Sequence, residues 1–304
     1  MPTNDDKTRV DVLTELLLEY PVRALPGLAT RAHAETLARQ LVDSLRRVRF
    51  AHHLQVARHD PRRADPTDDL FDPLRAAVLS NRAGEVDNAY WLVLLGTHFG
   101  KHQADGWRLT RDIYGRLGTP PIWTWHEVVA DVGAFVDWTA GAVAQMKADG
   151  ISRRFSNHRK YESLDQIAAV LSSYVAWVQS YGGHGRMIQV LHQQVGQNPH
   201  DVFALLYSGM DAVKRFGRLA KFDYLAMLGK LGISPIAPGS PYMKGATGPL
   251  AGTRVLFGMP KLSPGQADEW ATELGNYLNV GMQEMEDALC NWQKSPARHV
   301  LFVG

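Results

Sequence analysis

Apolar residues recur every three or four positions along almost the whole chain, and no stretch shows the strict alternation of a half-buried strand. The pattern therefore predicts an all-α protein of about ten or eleven helices. Val10, Leu13, Leu16 and Leu17 define a first helix, with Thr3 or Asn4 as its cap and Pro21 as its stop. A long helix follows from Thr30 to His59, and shorter ones at Pro73–Arg82, Glu85–Phe99 and Gly106–Leu117. Trp123–Lys147, apolar on most faces, reads as the central core helix. Further helices are expected at Leu164–Ser180, Arg186–Val195, Pro199–Arg215 and Phe216–Leu231, and from Thr247 onward. Asn198-Pro199 and Ser263-Pro-Gly-Gln have the form of helix starts, the second leading into a last helix that runs to Trp292. The Pro- and Asp-rich segment Asp60–Pro73 reads as a joint. The division expected is a helical region over 1–84 and a larger helical domain over 85–304, or one continuous domain.

Composition narrows the class. With 45% hydrophobic and 21% charged residues over 304 positions, the chain suits a globular protein with a large core. The lone Cys290 excludes an internal disulfide and a thiolate metal cluster, which fits a reducing cytosol. No secretion signal or apolar span of membrane length is visible, so a cytoplasmic location without membrane contact is expected. A net charge of +2 means that any affinity for nucleic acid must come from local patches.

Two such patches exist. Arg39–Arg63 carries seven arginines against Asp43 and Asp60. That face is either simply solvated or turned toward phosphates. Lys214–Leu262 carries eight Lys or Arg and a single acid, Asp223. On a helix Asp223 has only Leu219, Ala220, Ala226 and Met227 as same-face neighbours, so no ion pair within the helix accounts for it. Either it pairs with a distant segment such as the basic Arg153–Lys160 connector, or it is a catalytic carboxylate with a raised pKa beside an anionic ligand. Thr97-His-Phe-Gly-Lys-His places His98 and Lys101 at a helix end closed by Gly100. A zinc site at His98 and His102 lacks a third ligand, so no metal and no cofactor is implied.

The segment Ala237-Pro-Gly-Ser-Pro-Tyr-Met-Lys-Gly-Ala resembles the hairpin of helix-hairpin-helix DNA glycosylases. There, free backbone N–H groups at a helix start grip a phosphate. On that resemblance Lys244 falls at the Schiff-base lysine position, with Thr247 capping the following helix. The acid those enzymes carry beyond the lysine is missing at Leu262–Pro264, and the next one is Asp268.

Four spaced motifs, Trp91-Leu…Thr97-His-Phe-Gly-Lys, Arg159-Lys-Tyr-Glu, Phe216–Leu225 and Tyr242–Leu250, together resemble the α-glutamyl/putrescinyl thymine pyrophosphorylases, a divergent branch of the DNA glycosylase superfamily. The resemblance covers residues 85–260. It implies a glycosylase-like helical enzyme acting on hypermodified bases in DNA, including phage DNA met in antiviral defence. The expected reaction is hydrolytic excision of a bulky modified pyrimidine flipped out of the stack, with Asp223 as the carboxylate and Lys244 as nucleophile or phosphate contact. His98, Lys101, Lys160, Tyr161, Glu162 and Tyr242 would read the base. Arg218, Lys221, Gly239, Thr247, Gly248 and Arg254 would hold the DNA. The rival readings are a transferase or pyrophosphorylase at the thymine 5-position, and a DNA-binding module without catalysis. No protein partner is implied.

Overall fold

The computed structural model describes residues 4–301 and shows fourteen α-helices among them, with no named strand. Two sets of segments pack within themselves: 4–51 together with 238–301, and 52–237.

In the first set, α1 (Asn4–Leu18) and α2 (Arg31–Val56) turn apolar residues toward α12 (Thr247–Leu256), α13 (Pro264–Leu278) and α14 (Met282–Trp292). The core gathers Leu13, Leu17, Leu37, Leu41, Leu256, Leu274, Leu289 and Trp292. Asn4 is already helical, and Thr3 lies outside the described residues. Ser263 caps α13 in a capping box with Gln266. The single last helix expected from Ser263 to Trp292 is instead two. Asn279 takes a left-handed conformation at φ 52°, which ends α13 and lets Gly281 restart the chain as α14.

The arginines of α2 are ion-paired rather than facing a free anion. Arg47 binds Asp287 at 2.6 Å, Arg49 binds Asp6 at 2.5 Å, and Arg46 sits between Asp6 and Asp43. The pair with Asp287 also explains part of the acid run in α13 and α14.

In the second set, α3 (Pro73–Arg82), α4 (Val86–Phe99), α5 (Arg108–Tyr114), α6 (Trp125–Ala130), α7 (Val132–Ala148), α8 (Ile167–Gln179), α9 (His184–Val195), α10 (Pro199–Gly209) and α11 (Arg218–Lys230) surround a core rich in aromatic residues. The central helix is α4, not the 123–147 segment. Every residue from Ala89 to Gly96 is buried. Trp91 at its middle donates its indole N–H to the Trp123 carbonyl at 2.9 Å, within a cage of Trp125, Phe135 and Tyr174. The 123–147 segment breaks at Asp131, whose extended backbone frees its carboxylate to cap α7 through Ala134 N–H at 2.8 Å. The resulting α7 buries only one stripe: Phe135, Thr139, Ala142, Val143 and Met146. Gly106–Leu117 likewise shortens to α5, because Arg116 and Leu117 turn left-handed. Asn198 and Pro199 start α10 as their residue types dictate.

Helices α12 and α14 approach closely because α12 presents glycine at 248 and 252. A Cβ at Gly252 would fall against the Leu289 carbonyl, and one at Gly248 against Cys290 Sγ. Gly252→Val should therefore cost about 2–3 kcal/mol in urea denaturation, since a backbone oxygen cannot step aside. Gly265→Ala, with open space at its Cβ, should be neutral or gain up to about 1 kcal/mol.

Candidate functional site

Helix α11 buries Ala220, Phe222, Tyr224, Leu225, Ala226 and Leu228. That leaves Asp223 at the edge of the apolar face, its side chain 32% exposed. The residue that meets it comes from 64 positions earlier. Arg159, in a single 3-10 turn, is 1% exposed. Its guanidinium donates to three acceptors: the Thr97 carbonyl at 3.2 Å, the Tyr161 hydroxyl at 3.1 Å and Asp223 Oδ2 at 3.3 Å. A buried guanidinium has to be paired this way. Asp223 Oδ1 has no hydrogen-bond partner among the described residues. Burial raises the Asp223 pKa, and the nearby Arg159, His158, Lys230 and Arg218 only partly oppose it. The two expectations for Asp223 thus meet in one residue. It is paired with the basic connector, and it is a part-open carboxylate shifted toward neutrality.

The other expected residues of the 52–237 segment divide. Tyr161 keeps its ring 56% exposed while Arg159 fixes its hydroxyl, and Lys160 is exposed beside it. Glu162, however, is 3% exposed and bound to Arg215 Nε at 3.4 Å, so its carboxylate is already engaged by a protein cation. Arg215 holds a left-handed backbone to reach it, at φ 57°. Lys221 is also engaged. It is buried, pairs with Asp211 at 2.5 Å and lies over the Tyr207 ring. Arg218 stacks over Phe222 and lies within the field of Asp223.

His98 is buried. It is packed among Phe99, Phe155 and Phe216, and desolvation with the Arg159 charge pushes its pKa down to about 3. It is a neutral core histidine, and it parts company with Lys101, which lines a basic cleft. His102 instead accepts the N–H groups of Ala104 and Asp105 at Nδ1. Among the described residues no group of three His, Cys, Asp or Glu is placed to hold a metal.

Between α11 and α12, residues 231–246 run through turns and loop, with Gly239 within them. Tyr242 turns left-handed at φ 54°, and Met243 N–H donates to both Asp268 oxygens at 3.0 Å. Asp268, the first acid past the vacant window, is thus the one that holds this loop. Lys244 is exposed. Thr247 is the first helical residue of α12, and Ala246 occupies the cap without a side-chain bond. Gly248 is glycine for its packing on Cys290, which accounts for the residue without a ligand. The Arg254 guanidinium donates to the Leu262 carbonyl at 3.0 and 2.9 Å, closing the α12–α13 turn.

Sequence reasoning missed one chain of groups altogether. Asp87 Oδ1 accepts from the His184 backbone N–H at 2.9 Å and from its Nδ1 at 2.6 Å. The carboxylate only accepts, so Nδ1 carries the proton and Nε2 is left to accept from the Tyr174 hydroxyl at 2.6 Å. Tyr174 in turn accepts from the Tyr224 hydroxyl at 2.6 Å. The His184 hydrogen bond lowers the Asp87 pKa, while burial lowers that of His184 and raises both tyrosines. The outer end, Asp87, lines a cleft of about 580 Å³ with Trp125, Gln179 and Gly183. The one hint in the sequence is a histidine directly after the Gly182-Gly183 break. Its partner lies 97 residues away.

An all-helical chain that turns a part-open carboxylate against a buried guanidinium has the makings of an acid–base centre. The family model of the alpha-glutamyl/putrescinyl thymine pyrophosphorylases, clade 3, matches residues 32–304, and the chain belongs to that family. No curated protein and no solved structure matches it. No helix among the described residues is long and apolar enough to cross a membrane.

His98 and His184 are both held neutral below their ordinary pKa near 6.5. The unfolded chain binds protons there that the folded one refuses, so stability falls as pH drops below about 6.5. Buried His98 contributes a slope approaching about 1.4 kcal/mol per pH unit. In urea titrations at pH 7 and pH 5, His98→Asn should lose about 2 kcal/mol less than the parent chain across that interval.

Proposed function

We propose that this chain is a DNA-modifying enzyme that acts on thymine carrying a substituent on its 5-methyl carbon, with Asp223 as general base. The family's name specifies such thymines, glutamyl- and putrescinyl-substituted, and exchange with pyrophosphate. In such an exchange an amine attacks the 5-methylene carbon, the C–O bond to pyrophosphate breaks with its electrons leaving on pyrophosphate, and Asp223 takes the amine's proton; in reverse, pyrophosphate attacks that carbon, the C–N bond breaks, and protonated Asp223 returns the proton to the departing amine. The observation that carries the reading is Asp223. Its Oδ2 is oriented by buried Arg159 while Oδ1 has no partner, and desolvation raises its pKa toward working pH. The exposed ring of Tyr161, fixed through its hydroxyl by the same arginine, suits stacking on a flipped base. DNA is the partner, and phage DNA bearing such bases is the natural source of substrate.

A second reading, excision of the modified base by cleavage of its glycosidic bond, draws on a separate feature. Lys244 is exposed, and the backbone N–H next to it is held by Asp268. In that reaction Asp268 would activate water.

One assay separates them. DNA containing putrescinyl- or glutamyl-substituted thymine is incubated with the protein and pyrophosphate, and the digested nucleosides are read by mass spectrometry. The substituted nucleoside should change mass with its sugar retained, and Asp223→Asn should slow that change about 100-fold or more. Free base together with abasic sites would transfer the conclusion to excision. If the DNA stays unchanged, or Asp223→Asn acts at the parent rate, the role given to Asp223 is wrong.

A further inference from the structure

A second concave surface lies in the 52–237 segment, apart from the Asp223 centre, and its character is set by cations. The cleft encloses about 490 Å³ and is lined by Arg63, Arg75, Lys101, Arg108 and Arg111 against three carboxylates, Asp69, Asp72 and Asp105. All three carboxylates are already committed. Asp72 caps α3 and pairs with Arg75. Asp69 binds Arg111 at 3.1 Å, and Asp105 is gripped at 2.8 Å through both oxygens by Arg154, which is not a lining residue. Arg63 is oriented by the Leu70 carbonyl at 3.2 Å. The side chains of Lys101 and Arg108 have no ion-pair or hydrogen-bond partner among the described residues.

The frame that holds these two cations is stiff. Gly100 ends α4 at φ 67° with Ser156 packed where a Cβ would sit, which sets the direction in which Lys101 leaves the helix. Between Lys101 and Arg108 the chain makes a closed turn. His102 and Gly106 exchange backbone hydrogen bonds at 3.0 and 2.8 Å, and His102 Nδ1 accepts from Ala104 and Asp105 at 3.2 Å inside it. Two uncompensated cations at the two ends of a rigid turn, backed by guanidinium groups held in place by carboxylates, form a preorganised anion receptor. The volume falls within the ~300–1,000 Å³ range of small-ligand sites.

We infer that this cleft binds a phosphate group, with Lys101 and Arg108 supplying the unneutralised charge and Arg75 and Arg111 the fixed donors. The shared chemistry is a phosphate oxyanion, and it has two sources: free pyrophosphate or a backbone phosphate of a DNA strand. The site stands independently of the role given to Asp223.

Calorimetric titration of the full chain with inorganic pyrophosphate, and separately with a short single-stranded oligonucleotide, tests it. The variants are Lys101→Ala/Arg108→Ala, a charge-matched control Arg58→Ala/Arg186→Ala, and Asp223→Asn. The cleft double variant should weaken one of the two ligands at least about tenfold more than the control does, since each lost charge-assisted contact is worth roughly a factor of ten. Loss in the pyrophosphate arm identifies a small-anion site, and loss in the oligonucleotide arm identifies a backbone contact. Lys101→Arg/Arg108→Lys should keep the binding, and so should Asp223→Asn, even if the latter variant proves fully active in the nucleoside assay. The inference is overturned if neither ligand binds the parent chain, or if the cleft variant and the control lose equally in both arms.

Discussion

The buried guanidinium of Arg159 is the constraint on which the candidate centre depends. A charge at 1% exposure persists only if its hydrogen bonds are met. Here they are met by the last turn of α4, by the connector's Tyr161 and by Asp223 of α11. One side chain therefore ties three stretches of the 52–237 segment to a common point. The geometry of Asp223 follows from that tie. Its Oδ2 is fixed for a structural reason, and Oδ1 is left over as the atom with chemical freedom. Desolvation outweighs the nearby cations in setting its pKa, so the carboxylate is a stronger base than an exposed aspartate although an arginine touches it.

The helical architecture was largely legible from the period of the apolar residues, and so were the starts at Asn198-Pro199 and Ser263, because capping is a local matter of residue type. What was not legible depended on single residues overriding a continuous pattern. Asp131 and Asn279 each divide a segment whose apolar periodicity runs straight through. Helix α4, apolar on all sides, outranked the longer 123–147 segment as the centre, since length says nothing about how many faces a helix buries. A core made from segments 4–51 and 238–301 cannot be anticipated by reading composition in chain order.

The candidate site was half legible for a related reason. Counting charges along Lys214–Leu262 found the isolated acid, but a cation is available to a ligand only after its protein partners are subtracted. Arg215 is taken by Glu162, Lys221 by Asp211, and Arg254 by a carbonyl. Two of the eight cations in that stretch are thus neutralised at short range, and a third is oriented by a carbonyl. Lys101 and Arg108 lie where the local sequence is not notably basic, yet they keep their charge because each neighbouring carboxylate is already engaged. Histidines repeat the lesson. His98, in a motif read as a pocket wall, is buried among phenylalanines, whereas His184 joins a relay whose other members no spacing rule connects.

That relay bears on how Asp223 is supported. Tyr224, the residue after it on α11, ends a line of hydrogen bonds that begins at Asp87 in a separate cleft and passes through His184 and Tyr174. Each donor in the line is oriented by the next acceptor, so the buried tyrosine hydroxyls are satisfied without water and α11 is pinned in rotation about its axis. Two polar systems thus fix one helix from opposite sides of a single peptide. Arg159 holds Asp223, and the Asp87–His184–Tyr174 line holds Tyr224. A carboxylate meant to act as a base needs its free oxygen kept in one direction while its neighbours exclude solvent. An α11 clamped at two consecutive residues supplies that rigidity.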